Sequence, residues 1–193
     1  MEKIASFRII EKPKKEEYPE YSEMYMELLK DDGMVLQNMK DSLPKIKKFI
    51  YGLPEDKLYY RYGDVKWTIK EILVHIIDDE RIFTYRALRY ARNDHTPLPG
   101  FEQDDYAKYS YANDRSLDSI FEEYESVRNA TLTLFQNLPD DAFMRSGGID
   151  DNGNVINIRT VRALIYHLAG HELRHIKIIK ERYLNLSTEN GII

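Results

Sequence analysis

The chain has 193 residues, which suits one domain and is enough to bury a hydrophobic core without disulfide bonds. It contains no cysteine, so thiolate metal ligands, a cysteine nucleophile and a disulfide framework are excluded. With 33 acidic and 28 basic residues the formal charge is −5, and no run of Lys or Arg interleaves with aromatic residues as a nucleic-acid surface requires. We therefore expect no nucleic-acid partner, and any bound metal must use His, Asp or Glu.

The first twenty residues are charged and contain Pro13 and Pro19, without the apolar core of a signal peptide or a membrane span. We expect residues 1–20 to form an N-terminal extension, residues 21–187 one helical-bundle domain and residues 188–193 a C-terminal tail. No membrane partner is expected. The absence of cysteine fits a reducing compartment, and a cytoplasmic location is predicted.

Four stretches carry apolar residues at helical spacing, and no period-two alternation among them calls for a sheet. The first predicts a helix over residues 34–51, kinked or restarted at Pro44. The second predicts a helix over residues 68–93, because Thr68 and Glu71 have the spacing of a capping box.

The third and fourth helices are predicted over residues 116–138 and 158–186. Residues 94–115, rich in Pro, Gly, Asp and Tyr, are too long for a tight turn and indicate a crossover loop between helices two and three. Residues 140–157 contain two Gly-rich turn signals, compatible with a short hairpin. The predicted fold is an all-α four-helix bundle.

The last helix contains the sequence His-Glu-Leu-Arg-His at residues 171–175. His171 and His175 lie one turn apart on the same helix face, where two imidazoles can bind one divalent cation. A third ligand must then come from another element, and His75 is the other histidine inside a predicted helix. The predicted metal site is His75, His171 and His175, with coordination positions left open for water or substrate. The alternative is that these histidines are ordinary core residues.

Three other residues are candidates for this site by type or position. Asp79, one turn beyond His75, is a fourth ligand, a hydrogen-bond acceptor that orients a ligand, or a surface charge. His167, one turn before His171, is expected to drift towards the polar side of its helix and at most to support a ligand. His95 lies in a Pro-flanked loop and is assigned no metal role.

Glu80, Arg128 and Glu172 fall at positions where helical periodicity demands an inward side chain. Because a buried ion is costly unless it is paired, we expect Arg128 to bridge Glu80 and Glu172. Such a network is expected to fix helix register more than to serve chemistry.

Two other metal sites match parts of the pattern. The His-Glu-x-x-His motif is typical of zinc metalloproteases, with Glu172 as general base, but Glu172 is predicted to pair with Arg128, and neither a downstream ligand nor a strand for substrate is evident. A carboxylate-bridged di-iron site needs a Glu-x-x-His element twice, and the chain offers it once, at Glu172 and His175. Helix two offers Glu71 and His75 four residues apart instead, so the pattern is incomplete.

Several motifs together resemble the DinB/YfiT-like family, over roughly residues 34–183. They are Lys66-Trp67-Thr68-Ile69-Lys70-Glu71, His75, Asp79-Glu80-Arg81, Leu98-Pro99-Gly100-Phe101 and Ala169-Gly170-His171-Glu172-Leu173-Arg174-His175. One departure is Arg174, where many relatives carry a second histidine. The ligand pair itself is intact.

The resemblance implies an up-down-down-up bundle with one zinc- or nickel-type divalent cation held by residues matching His75, His171 and His175. It also implies a metal-dependent hydrolase, or a transferase or isomerase that uses a low-molecular-weight thiol, and a homodimer. A small-molecule substrate is expected in either case. Asp79 and Glu172 are candidate general bases, neither of them favoured. The rival hypothesis is a non-catalytic binding module in which the cation only ties helices together; a fourth protein ligand would favour it.

Overall fold

Four long helices form the bundle in a computed structural model that describes residues 7–188 and 191–192. They are α1 (Val35–Tyr51), α2 (Ile69–Ala91), α3 (Leu117–Gln136) and α4 (Val161–Ile178). Shorter helical segments are Lys15–Glu17, Glu20–Ser22, Glu23–Met26, Glu55–Tyr59, Gln103–Tyr109, Ala112–Asp114, Asp140–Met144 and a π-helical turn at Ile179–Tyr183. The predicted bundle is confirmed. Residues 1–6 of the predicted extension and residues 189, 190 and 193 of the predicted tail lie outside the described residues.

α2 and α3 run in the same direction. Arg81 of α2 forms an ion pair with Glu123 of α3, and Thr84, further along α2, contacts Thr131, further along α3. Parallel neighbours cannot be joined by a tight turn, and the connection from residue 92 to residue 116 is the long crossover that the sequence predicts. This crossover is not irregular throughout, since it contains the helix Gln103–Tyr109.

α4 runs antiparallel to α2 and parallel to α1. His75 of α2 contacts His171, whereas Phe83, two turns later, stacks on His167, which precedes His171 in α4. Met39 of α1 accepts a hydrogen bond from Arg128 of α3, whereas Lys47, two turns later in α1, pairs with Glu125, which precedes Arg128; α1 is therefore antiparallel to α3 and parallel to α4. Together with the parallel pair α2 and α3, these directions give the expected up-down-down-up order.

Two local predictions have opposite outcomes. The capping box at the start of α2 is confirmed: the Glu71 N–H donates to Thr68 Oγ1 at 3.1 Å, and the Thr68 N–H donates to the Glu71 carboxylate at 2.7 Å. The predicted restart at Pro44 is wrong, because α1 continues through this residue. Leu43 and Ile46, buried on either side of Pro44, hold the helix against the core despite the missing hydrogen bond.

A small sheet lies beside the bundle, although no period-two alternation called for one; its hairpin turn falls within residues 140–157, where the turn signals are compatible with a hairpin. It consists of β1 (Leu98–Pro99), β2 (Ser146–Asp151) and β3 (Asn154–Thr160), in the order β1-β2-β3. β2 and β3 form an antiparallel hairpin, and β1 pairs in parallel with β2. The predicted start of the fourth helix at residue 158 is therefore wrong: that residue lies in β3, and Thr160 caps α4 by accepting a hydrogen bond from the Ala163 N–H.

The hydrophobic core has two clusters, separated along α2 between Ile77 and Phe83 and along α4 between Ala169 and Ile176. Buried polar side chains occupy this gap, among them those of His171 and Glu172. Among the described residues, no helix combines the length and apolar character needed to cross a bilayer.

Candidate metal centre

Three histidines converge at the middle of the bundle. His171 Nε2 lies 3.1 Å from His75 Nε2 and 3.1 Å from His175 Nε2. One potential ligand nitrogen from each ring lies within 4.8 Å of the other two. His75 and His171 are only 2% and 5% exposed. The structure thus brings together the three residues that the sequence selected from helices two and four.

Burial keeps these imidazoles neutral at physiological pH. Loss of hydration lowers the pKa of His75 below its ordinary value of 6.5, and it lowers the pKa of His171 to about 3. The pKa of His175 is also well below the ordinary value, because of burial first and then the neighbouring His171 and His75. Neutral imidazoles are the form that binds metal.

Asp79 is the carboxylate associated with this cluster. Its Oδ2 atom lies 3.4 Å from His171 Nδ1, and the residue is 4% exposed, so the surface-charge interpretation is wrong. The carboxylate faces the ring nitrogen opposite Nε2, which is the position of an acceptor that orients a metal ligand. This contact is electrostatic rather than a hydrogen bond, since Asp79 Oδ2 is buried without a hydrogen-bond partner among the described residues; we assign the proton of neutral His171 to Nδ1 because the carboxylate charge favours it there.

His167 does not drift to a polar surface, as the sequence predicts, but is fully buried. Its ring stacks on Phe83 with centroids 4.1 Å apart, and its Nε2 lies 3.7 Å from Asp79 Oδ2. The prediction failed because the short helix Glu23–Met26 covers this face of α4. Tyr25 packs edge-on against His167 at 4.8 Å, where Gly170 permits the close approach.

The chemistry of the donor set fits a cation. With its proton on Nδ1, His171 has no hydrogen on Nε2 to offer to either neighbour. His75 and His175 each leave Nδ1 buried without a hydrogen-bond partner, whereas their Nε2 atoms both lie 3.1 Å from His171 Nε2, whose single lone pair can accept from only one of them. Three Nε2 atoms therefore share one point with too few hydrogen bonds among them, an arrangement that a cation bound by all three would satisfy.

A cleft of about 360 Å³ opens beside His175. Trp67 forms one wall, with its ring 4.6 Å from His75 and 6.4 Å from His175. Gln103 and Asp104, from the crossover helix, line the cleft as well. The sequence prediction missed Asp104 as a site residue because no spacing relates a crossover residue to the histidine pair; Trp67 entered only through the family resemblance.

A second cavity, of about 230 Å³, lies on the Asp79 side of the cluster. Its lining includes Asp79, His171, Arg86, Arg159 and Gln103, and Gln103 also lines the first cleft. The histidine cluster therefore borders two cavities, one at His175 and one at His171. The sequence analysis did not single out either arginine.

Arg128 lies between Glu80 and Glu172, as expected from their positions in the helical stripes. Its Nε donates to Glu80 Oε1 at 3.0 Å, and its Nη2 donates to both carboxylates. Glu172 also accepts hydrogen bonds from Ser42 at 2.5 Å and from Tyr124. A carboxylate with this many donors is poorly suited to act as the general base of a zinc protease.

The other sequence-derived alternatives find different surroundings. Glu71 is held by the capping box and by Arg61 at 2.8 Å, so it does not complete a second di-iron element. His95 is exposed, outside the cluster. Among the described residues, no carboxylate joins the three histidines as a fourth metal-ligating group.

Comparison with known proteins places this geometry in context. The family model described as the DinB superfamily matches residues 42–179, a range that includes all three histidines. An Oceanobacillus iheyensis protein named "putative metal-dependent hydrolase" is 25% identical over 144 residues, which are 74% of this chain and 82% of that protein. YfiT from Bacillus subtilis, described as "a probable metal-dependent hydrolase with an unusual four-helix bundle topology", has the same fold, with a TM-score of 0.71. Its sequence is 17% identical, and the match covers 94% of this chain and 98% of YfiT.

Proposed function

Because the chain belongs to the DinB superfamily, we propose that it is a divalent-metal-dependent hydrolase of a small molecule, with His75, His171 and His175 as the metal ligands. One observation carries the proposal: the Nε2 atoms of three neutral imidazoles converge, with His171 Nε2 3.1 Å from each of the other two, while Asp79 lies on the Nδ1 side of His171. The name of the Oceanobacillus iheyensis relative supports the reaction class.

Three neutral imidazoles suit a zinc- or nickel-type cation. Such an ion, when bound, lowers the pKa of a coordinated water towards about 7 and so supplies hydroxide at neutral pH. Three protein ligands leave a coordination position open, which is typical of catalytic sites and disfavours the purely structural alternative.

The remaining tasks fall to side chains of the first cleft. Trp67 shields the imidazoles of His75 and His175 from solvent on one side. Asp104 lines this cleft, and its charge acts on His75. Asp79 faces His171, and Glu172 already accepts hydrogen bonds from several donors. We therefore assign to Asp104 the acceptance of a proton from the attacking water.

Metal content tests the ligand assignment. Untagged protein is purified, supplied with zinc or nickel, freed of excess ion and analysed for metal. We expect about one cation per chain in the wild type, and loss of that cation in His75→Ala and His171→Ala. His95→Ala is the matched control and keeps the metal, since His95 is exposed and outside the cluster. A wild-type protein that binds neither ion would refute the proposal.

Activity is then screened on small esters, amides and phosphoesters, each with and without a low-molecular-weight thiol. Metal-dependent turnover without thiol supports the hydrolase, whereas turnover that requires the thiol would replace it with the thiol-dependent transferase. Asp104→Asn is expected to lower kcat at unchanged metal content, because it removes a proton acceptor and leaves the ligands intact. Asp105→Asn, at the neighbouring exposed position, is the control.

A further inference from the structure

Two buried arginines line the second cavity without an acidic partner. Arg86 of α2 is 6% exposed and Arg159 of β3 is 2% exposed. Among the residues that the structure describes, neither guanidinium forms an ion pair within 4.0 Å of a carboxylate. Arg128 shows the contrast, since it is buried to a similar degree and is held by two carboxylates.

The hydrogen bonds of the two arginines go to neutral groups. Arg86 Nη2 donates to the Pro99 carbonyl at 3.3 Å. Arg159 donates to the Asn157 carbonyl at 3.0 Å and to the Tyr21 hydroxyl, and its Nε is buried without a partner. Each guanidinium has five N–H donors, so donor capacity remains unused at both.

The local charge is unbalanced. A buried cation is costly unless it is paired and hydrogen-bonded. Burial lowers the pKa of Arg86 below its ordinary value, and the nearby positive charge of Arg159 also lowers it, while Tyr90 and Asp79 act in the opposite direction. Asp79 lines the same cavity, but its Oδ2 faces His171 and His167 rather than either arginine.

We propose that this cavity binds an oxyanion group, a carboxylate or a phosphate, through Arg86 and Arg159. Planar guanidinium groups match both oxyanions with paired hydrogen bonds. The volume of about 230 Å³ suits one small anionic group rather than a whole macromolecular segment. His171 lines the same cavity, so an anion held there lies next to the histidine cluster.

This inference names the substrate class of the proposed hydrolase and depends on the proposed function for that link to the reaction. An oxyanion held between the arginines would lie beside His171, and the rest of the substrate would extend past Gln103, which lines both spaces, towards His175 in the first cleft. The class is therefore small, anionic molecules, in which recognition and reaction use adjacent parts of one site.

Isothermal titration calorimetry of the full chain with inorganic phosphate, and separately with succinate, tests the inference at constant ionic strength. Each titration is performed on metal-free protein and on protein carrying one equivalent of zinc. We expect binding of at least one anion in both states, and a preference between phosphate and succinate identifies the oxyanion. Arg86→Met is expected to weaken binding about tenfold or more, because it removes charge-assisted hydrogen bonds. Arg92→Met, at an exposed position six residues after Arg86, is the control. This variant is expected to bind the anion as the wild type does.

The stability of the variants separates anion recognition from a structural role. Without added anion, Arg86→Met is expected to be at least as stable as the wild type, since an unpaired buried cation is removed. Arg159→Lys, which keeps the charge but loses the planar donors, is the second variant and is expected to weaken anion binding as well. Should one variant fail to fold, the other decides.

The outcomes for the anion site and the metal site are distinguishable. Anion binding that needs zinc and ignores both arginine substitutions would place the anion on the metal and overturn this inference alone. Absence of binding of either probe to the wild type would also overturn it. Arginine-dependent binding in a protein that takes up no metal would support the anion site while refuting the proposed hydrolase.

Discussion

His171 Nδ1 and Asp79 Oδ2 lie 3.4 Å apart in the interior of the bundle, on two helices that run in opposite directions. The contact arises from helical periodicity, because His75, Asp79 and Phe83 follow one another at four-residue steps on α2 and face the histidines of α4. Asp79 thereby places a negative charge beside Nδ1 of one imidazole, where it favours a proton on that atom. The centre is built into the packing of α2 against α4 rather than into a loop.

Asp79→Asn is expected to weaken zinc or nickel affinity about 10- to 100-fold, because His171 loses the neighbouring negative charge while all three imidazoles remain. Competition with a chromophoric chelator measures the affinity. Asp78→Asn is the matched control: Asp78 neighbours Asp79 in sequence but contacts Arg81 at 3.7 Å, and its substitution is expected to leave metal affinity unchanged. Equal affinity in Asp79→Asn and the wild type would show that the 3.4 Å contact does not support the ligand.

The sequence was sufficient where the information is local or periodic. The spacing of His171 and His175 places two imidazoles on one helix face, and Thr68 with Glu71 marks the start of α2. The inward position of Arg128 demanded carboxylate partners, because a buried cation requires them. These conclusions follow from local sequence signals, from the 3.6-residue period of a helix and from the free-energy cost of burying an unpaired charge.

The sequence was insufficient where distant segments meet. Arg159 was predicted to lie in the fourth helix but lies in β3, the strand just before it. The cavity that Arg159 lines also includes residues of α2, the crossover and the N-terminal region. Helical periodicity also placed His167 wrongly, since its face of α4 is covered by Tyr25 from a separate short helix. The sequence of α4 alone does not indicate that Tyr25 covers this face.

Arg128→Met is expected to lower the free energy of unfolding by about 3–5 kcal/mol, because Glu80 and Glu172 would remain buried without their cation. Urea unfolding at pH 7 measures the change. Lys47→Met removes the more exposed ion pair with Glu125 and is expected to cost about 1 kcal/mol or less. Similar losses in the two variants would contradict the distinction between the buried and the exposed pair.

Glu17→Gln is expected to destabilise the protein by about 1–3 kcal/mol at pH 7, because Glu17 accepts hydrogen bonds from Arg162 and Thr160 of the α4 start. Burial raises the pKa of Glu17, but Arg162, the Lys14 N–H and Thr160 outweigh it, so the pKa lies below the ordinary 4.5. A carboxylate with a lowered pKa stabilises the fold above about 4.5, and this contribution is lost as the pH falls through the folded-state value.

Free energies of unfolding measured between pH 7 and pH 3 test this sign. The difference between the wild type and Glu17→Gln is expected to narrow as the pH falls below about 4.5. Glu16→Gln, at the adjacent exposed position, is the control and is expected to change stability little. A difference that stays constant or widens towards pH 3 would rule out the ionised Glu17 as its source.

Gly170→Ala is expected to separate the short helix Glu23–Met26 from α4. A Cβ atom at residue 170 would lie 2.4 Å from the Tyr25 carbonyl oxygen and 2.7 Å from its carbon, and because these are backbone atoms the whole segment must move. Overpacking of this kind costs about 1–3 kcal/mol. Tyr25 would withdraw from His171, whose ring it now contacts at a centroid distance of 5.6 Å.

Limited proteolysis and urea unfolding together measure this effect. We expect faster cleavage near Tyr25 and lower stability in Gly170→Ala, with the metal retained because His171 and His175 remain on α4. Gly52→Ala, whose added Cβ would meet its nearest atom at an ordinary 3.4 Å, is the control. If Gly170→Ala keeps the proteolytic pattern and the stability of the wild type, the Tyr25 segment is not held by close contact with α4, and the cover over His167 and His171 must have another cause.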